Sequence, residues 1–256
     1  MKFRSLHQQD SPLLLCNVWD TMSAQIAEDM GFQAIGTSSA AIAQSLGYED
    51  GEKLPFQVLV QVVKNITRAS HLPLTVDIES GYSRDPLEVV RHIKQLTELG
   101  IVGINIEDSV VSSGKRELIN ADSFAEFLTQ ITDNLNELEQ DVFVNVRTDV
   151  FLLGLPDPLN HVKRRISLYQ QANIDGIFVP CIVNNDDILS LTQFTDLPIN
   201  VMCMPQLTDF NELSELGVKR ISMGNFLFTD MYNHFKKSLS TIVKKQRFKD
   251  LFTDAS

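Results

Sequence analysis

The chain has 256 residues, with 33 acidic against 22 basic side chains, a formal net charge of −11, and 43% hydrophobic residues. This is globular composition, and its acid excess speaks against nucleic acid or a membrane surface as a partner, since either needs a clustered basic face. The polar Gln8-Gln9-Asp10 near the start, the lack of any apolar run of about 18 residues, and three cysteines (Cys16, Cys181, Cys203) without metal or disulfide spacing lead us to expect a soluble cytoplasmic protein.

In chain order, short runs rich in Val, Ile, Leu and Phe predict strands at Leu13–Val18, Ala34–Thr37, Leu74–Ile78, Gly103–Ile106, Val142–Val146, Gly176–Val179, Ile199–Met202 and Arg220–Met223. Their near-continuous apolarity is what parallel strands covered on both faces require. Helical periodicity predicts Ser23–Met30, Leu54–Ser70, Pro86–Leu99, Ala121–Glu139, Asp157–Ala172, Asp186–Phe194, Asp209–Leu216 and Phe226–Lys245. Asp85 and Pro86 open the third of these, and Gly31, Gly100 and Gly217 close helices ahead of the next strand. Eight strands alternating with eight helices, with no linker, predict an α/β chain: a single (β/α)₈ TIM barrel over residues 1–256. An open doubly wound sheet is the competitor, but no Gly-x-Gly-x-x-Gly or P-loop follows a strand.

In such a barrel the chemistry sits at the C-terminal strand ends. Those ends read Asn17-Val18-Trp19-Asp20, Thr37-Ser38-Ser39-Ala40, Asp77-Ile78-Glu79-Ser80-Gly81-Tyr82, Glu107-Asp108-Ser109 and Arg147-Thr148-Asp149. Asp77 and Glu79 are two apart and so share a strand face, and Glu107 ends the neighbouring strand. Three converging carboxylates need a cation, and hard oxygen ligands suit Mg²⁺ or Mn²⁺; the plain alternative is that each caps a helix or pairs with a base. Arg147 is placed to grip a carboxylate or phosphonate, or else to pair with Glu107 or Asp149. Ser38 and Ser39 offer hydroxyls and backbone N–H groups to an anionic oxygen. The loop Ser109–Asn120, with Gly114, Lys115 and Arg116, reads as a flexible lid or as plain surface. Tyr82 and Asp50 lie in neighbouring loops. The five histidines are scattered, which argues against histidine-centred chemistry.

Together with Leu46-Gly47-Tyr48-Glu49-Asp50, Gly103-Ile104-Asn105-Ile106 and Gly176-Ile177-Phe178-Val179-Pro180, these strand ends resemble the isocitrate lyase/phosphoenolpyruvate mutase superfamily, in order and spacing, over nearly the whole chain. The resemblance implies a barrel whose last helix is exchanged between subunits of a homodimer or homotetramer. It implies Mg²⁺ (or Mn²⁺) at Asp77, with Glu79 and Glu107 acting largely through bound water and Asp50 near those waters. It implies a small anionic 2-oxo or 2-hydroxy carboxylate substrate, held by Ser38, Ser39 and Ala40 with Trp19 and Asp77 alongside, and by Arg147 at its second anionic group. The implied activity is that of a lyase, mutase or hydrolase cleaving a C–C or P–C bond through a metal-stabilised pyruvate-like enolate. The lyase Cys-Gly-His motif is missing from the loop after the fourth strand, so the lyases that use that thiol are disfavoured. Lys115 stands as the candidate for lid contact with the substrate, and Arg147 and Asp50 as the other catalytic candidates. A metabolite binder that keeps the metal and anion site without catalysis is the alternative.

Overall fold

The computed structural model describes residues 3–252. Eight parallel strands close into a barrel in the order β1, β2, β3, β4, β7, β8, β9, β10 and back to β1. These are β1 (Leu13–Val18), β2 (Ile35–Thr37), β3 (Leu74–Asp77), β4 (Gly103–Glu107), β7 (Phe143–Arg147), β8 (Gly176–Val179), β9 (Ile199–Met202) and β10 (Arg220–Ser222). The predicted barrel and all eight of its strands are present. Nine α-helices stand among the described residues: α1 (Thr21–Asp29), α2 (Ser39–Ser45), α3 (Phe56–Ala69), α4 (Pro86–Thr97), α5 (Ala121–Glu137), α6 (Pro158–Tyr169), α7 (Asn185–Thr192), α8 (Phe210–Glu215) and α9 (Phe226–Lys245). The sequence pattern misses the two-turn α2, which Ser38 caps by accepting from the Ala41 N–H. It also misses the antiparallel hairpin β5 (Ser109–Ser112) and β6 (Lys115–Leu118) that leaves the barrel after β4. No described helix is long and apolar enough to cross a membrane.

Alternation along each strand sorts the barrel wall. Val76, Ile104, Val144, Val146, Ile177, Val201 and Ile221 are all buried in the layer shared with the helices. The alternate residues meet one another inside the barrel. Asn145 donates to Asn105 and to Asn200 at 2.9 and 3.2 Å, and Arg220 Nη2 donates to Thr75 and Asn105, both at 3.3 Å. The same register brings Asp77 beside Asn105 and Glu107 beside Arg147. The charged residues of the mouth therefore stand one pleat above a polar interior, on rigid strands rather than on loops.

At the opposite end, the 3₁₀ turn Phe3–Gln8 plugs the barrel. His7 stacks on Phe143 at 4.3 Å, and both its ring nitrogens are buried without a partner. Burial, reinforced by the Arg220 charge, pushes the His7 pKa down from 6.5 to about 3. Between those values the unfolded chain binds a proton that the folded chain refuses, so His7 removes stability as the pH falls below 6.5. His7→Phe is expected to gain about 2 kcal/mol on the wild type between pH 8 and pH 5. Urea unfolding at the two pH values checks this; a gap independent of pH would contradict it.

Candidate active site

The mouth of the barrel holds a cavity of about 360 Å³ lined by Asn17, Asp77, Asn105, Arg147, Phe178, Met202 and Ser222 from the strands. Ser38, Ser39, Ala40, Asp50 and Arg116 complete its polar wall, and Leu152 and Pro180 extend its apolar one. Ser39 begins α2, so its Oγ reaches Asp77 Oδ2 at 2.8 Å. Asp77 Oδ1 accepts the Glu79 N–H at 3.2 Å, and the Asp77 N–H is fixed by Thr37 Oγ1 at 2.8 Å. Burial raises the Asp77 pKa; Arg147 opposes that rise and Asp50 adds to it.

A second cluster lies beside it. Arg147 Nη1 stands 3.0 Å from Glu107 Oε2, and Arg147 Nε donates to Asp149 Oδ1 at 2.6 Å. Arg116 Nη1 also bonds Glu107, and it reaches Asp149 Oδ2 at 3.2 Å and Ser109 Oγ at 2.9 Å. Two guanidiniums thus neutralise two fully buried carboxylates. Burial works against the Arg147 charge, but Glu107, Asp149 and Asp77 outweigh it and hold its pKa above the ordinary arginine value.

The structure brings Ser38, Ser39, Ala40, Asp50, Asp77 and Arg147 around this one cavity, and it corrects four other readings of the sequence. Glu79 does not share the Asp77 face: β3 ends at Asp77, and Glu79 turns to a left-handed φ of 50°, which breaks the alternation. Its carboxylate accepts the Glu52 N–H at 2.6 Å and the Tyr82 hydroxyl at 3.1 Å instead. Glu107 does face inward, but its oxygens are taken by Arg116 and Arg147. Accordingly no group of three His, Cys, Asp or Glu among the described residues is placed to hold an ion directly. Trp19, beyond the end of β1, packs edge-on against Phe228 at 5.2 Å and lines a separate apolar cavity with Met22 and Ile26 of α1 and its C-cap Met30.

Lys115 is the fourth. The loop after β4 is a paired hairpin, and its strands alternate: Lys115 and Glu117 are exposed while Arg116 turns to the barrel. Of the two cations of this loop, Arg116 rather than Lys115 is therefore the one that lines the cavity. The signal was legible, since Ser113 and Gly114, with φ of 51° and 77°, form a two-residue turn of the primed kind between short alternating runs.

The donor set nonetheless fits a hard divalent cation. Asp77 and Asp50 offer only carboxylate oxygen to the cavity, without thiolate or imidazole, and Mg²⁺ takes one or two carboxylates while keeping several waters. The surplus of negative charge is visible at Glu79, where burial, then Asp50, then Asp77 push the pKa from 4.5 up to about 7. In the metal-free protein, ionising Glu79 costs the folded state stability as the pH rises through that window. Glu79→Gln is expected to gain roughly 3 kcal/mol on the wild type between pH 4.5 and pH 8. Melting temperatures in the presence of chelator read the difference; a gain that shrinks with rising pH would be the wrong sign.

A closed parallel barrel with acids, bases and hydroxyls gathered in one cavity at its C-terminal mouth has the architecture of a barrel enzyme. Residues 3–243 match the phosphoenolpyruvate phosphomutase family, and the chain belongs to it. It is an enzyme of the lyase, mutase or hydrolase type. An uncharacterized protein of Mycobacterium tuberculosis H37Rv is 35% identical over 88% of this chain and 82% of its own length. The oxaloacetate decarboxylase of Pseudomonas syringae pv. tomato DC3000 is 29% identical over 85% of this chain and 75% of its own. A crystal structure from Burkholderia cenocepacia J2315 superposes with a TM-score of 0.85 at 38% identity, covering 94% of this chain and 97% of that one. Phosphonopyruvate hydrolase shares the fold, with a TM-score of 0.84 at 20% identity over 99% and 89% of the two chains.

Proposed function

We propose that the chain is a divalent-cation-dependent enzyme that cleaves the bond beyond the carbonyl of a small 2-oxo diacid, with oxaloacetate the first substrate to test. The observation that carries this is one cavity at the barrel mouth that gathers the carboxylates of Asp77 and Asp50, the guanidiniums of Arg147 and Arg116, and the apolar Leu152, Phe178, Pro180 and Met202. The relatedness to an oxaloacetate decarboxylase supports the choice of substrate. Mg²⁺ is the expected ion, held by Asp77 with Asp50 beside it, and bound phosphonopyruvate hydrolase offers a fold-level parallel, having been crystallised with oxalate and Mg²⁺. When bound, such a cation supplies positive charge where the carbonyl oxygen becomes negative.

The residues of the chain do the rest. The hydroxyls and backbone N–H groups of Ser38, Ser39 and Ala40 hold the 2-oxo carboxylate and orient the carbonyl. Arg147, immobilised by Glu107 and Asp149, turns the distal carboxylate so that the C3–C4 bond stands in line with the carbonyl π system. That bond breaks, its electron pair passes by way of a new C2–C3 π bond to the carbonyl oxygen, and the products are CO₂ and the enolate of pyruvate, which then takes a proton at C3 from solvent water. Phe178, Pro180 and Met202 give the cavity an apolar wall, which favours the loss of charge as the carboxylate leaves as neutral CO₂.

The same reading expects a homodimer or homotetramer with α9 shared between subunits, in a cytoplasmic setting. What supports it is α9 itself, which buries only Phe228 and leaves Leu227, Met231, Phe235 and Leu239 exposed. Molar mass by light scattering checks the assembly: a monomer at micromolar concentration would count against it.

Incubation with oxaloacetate, phosphonopyruvate, 2-methylisocitrate and dimethylmalate, with pyruvate coupled to lactate dehydrogenase, tests the substrate. Mg²⁺-dependent pyruvate from oxaloacetate well above the spontaneous rate is the expected result. No turnover of any of the four, with oxalate still bound, would replace the reading with a metabolite binder.

A further inference from the structure

Arg116 has two different sides. Its Nη1 is committed inward to Glu107, Asp149 and Ser109, all buried. Its Nη2 donates outward to Asp50 Oδ2 at 2.9 Å, and that partner is 44% exposed while Arg116 itself is 15% exposed. Both residues line the cavity, so this ion pair crosses its mouth and ties the loop after α2 to the β5–β6 hairpin. The inward bonds neutralise buried charge and are costly to break. The outward one, at a wet mouth, is worth little and is readily exchanged for another anion.

Resting on the functional reading above, we propose that Arg116 is a substrate-recognising residue that selects for a distal anionic group, surrendering Asp50 and taking the second carboxylate or phosphonate of the substrate on Nη2. Its inward bonds hold the guanidinium rigid, so little side-chain entropy is lost on binding. The hairpin then serves as a fixed rim that carries a selector. A substrate with a single carboxylate has nothing to exchange for Asp50 and gains nothing from Arg116. Because the distal carboxylate is ionised in the bound substrate and loses that charge as it leaves as CO₂, the contact acts through substrate binding, and its loss raises KM without lowering kcat.

Calorimetric titration in Mg²⁺ with two probes that share the 2-oxo carboxylate tests this: 3,3-difluorooxaloacetate, which has a distal carboxylate, and pyruvate, which has none. In Arg116→Gln the diacid is expected to bind about tenfold more weakly or worse, with pyruvate within about twofold of the wild type, and KM for oxaloacetate to rise with kcat nearly unchanged. Arg116→Lys keeps the charge that Glu107 and Asp149 need but loses the fork; it is expected to show the same selectivity loss in smaller measure, and it decides the matter if the Gln variant does not fold. Equal weakening of both probes in the variants would overturn the selector role and leave Arg116 a strut. A wild type that binds neither probe would instead overturn the functional reading, and this inference with it.

Discussion

Asp77→Asn is expected to lose roughly 10³-fold in cation-dependent turnover and to bind Mg²⁺ measurably more weakly, while the metal-free protein becomes no less stable. The two halves of that result have one cause. Asp77 is half-buried at a strand end, where burial and Asp50 raise its pKa, so its charge is unfavourable in the empty fold. Asparagine is close to isosteric and can still accept from Ser39, whose Oγ lies 2.8 Å from Asp77 Oδ2. A residue kept for function at the expense of stability shows this trade when it is replaced. Steady-state kinetics, calorimetric Mg²⁺ titration and chelator-treated melting curves together read it. Cation-dependent turnover retained at the wild-type rate would remove Asp77 from the site.

Arg147→Met is expected to do the opposite to stability. Glu107 and Asp149 are buried, and Arg116 alone would remain to neutralise both. Removing one partner from such a buried network costs about 3–5 kcal/mol, on the order of 10 °C in melting temperature for a chain of this size. Turnover should fall as well, because the distal anion loses one of its two holders and Arg116 alone remains to meet it. Arg147→Lys restores the charge without the planar fork, so it should recover part of the stability and less of the activity. Differential scanning calorimetry separates the pair, and an Arg147→Met protein as stable as the wild type would show that Glu107 and Asp149 do not depend on Arg147 for their neutralisation.

The barrel was legible because parallel strands buried on both faces have little choice but Val, Ile, Leu and Phe, and because caps such as Asp85-Pro86 and Gly100 punctuate the helices. Asp77 and Arg147 were legible for a related reason: a charged residue ending an apolar strand in this fold points at the mouth. Glu79 was misread because period-two alternation was extended one turn past the end of its strand. Nothing in Ile78-Glu79-Ser80-Gly81 announces that the left-handed residue would be Glu79 rather than only the glycine. Lys115 was preferred over Arg116 for want of a register. Once Ser113-Gly114 is read as a two-residue hairpin turn, alternation exposes Lys115 and turns Arg116 inward. Glu107 shows a limit of another kind: that an acid at a strand end meets two guanidiniums rather than an ion depends on a hairpin and a neighbouring strand that only the folded chain brings together.

We propose that the cavity holding Asp77 and Arg147 performs cation-dependent cleavage of a 2-oxo diacid. The most direct test is the rate of pyruvate release from oxaloacetate by the wild-type protein, measured after exhaustive chelation and again after Mg²⁺ is added back. Loss of the enzymatic rate on chelation and its return on re-addition is the predicted result. An enzymatic rate that survives chelation unchanged, or that Mg²⁺ fails to raise above the protein-free control, would contradict it.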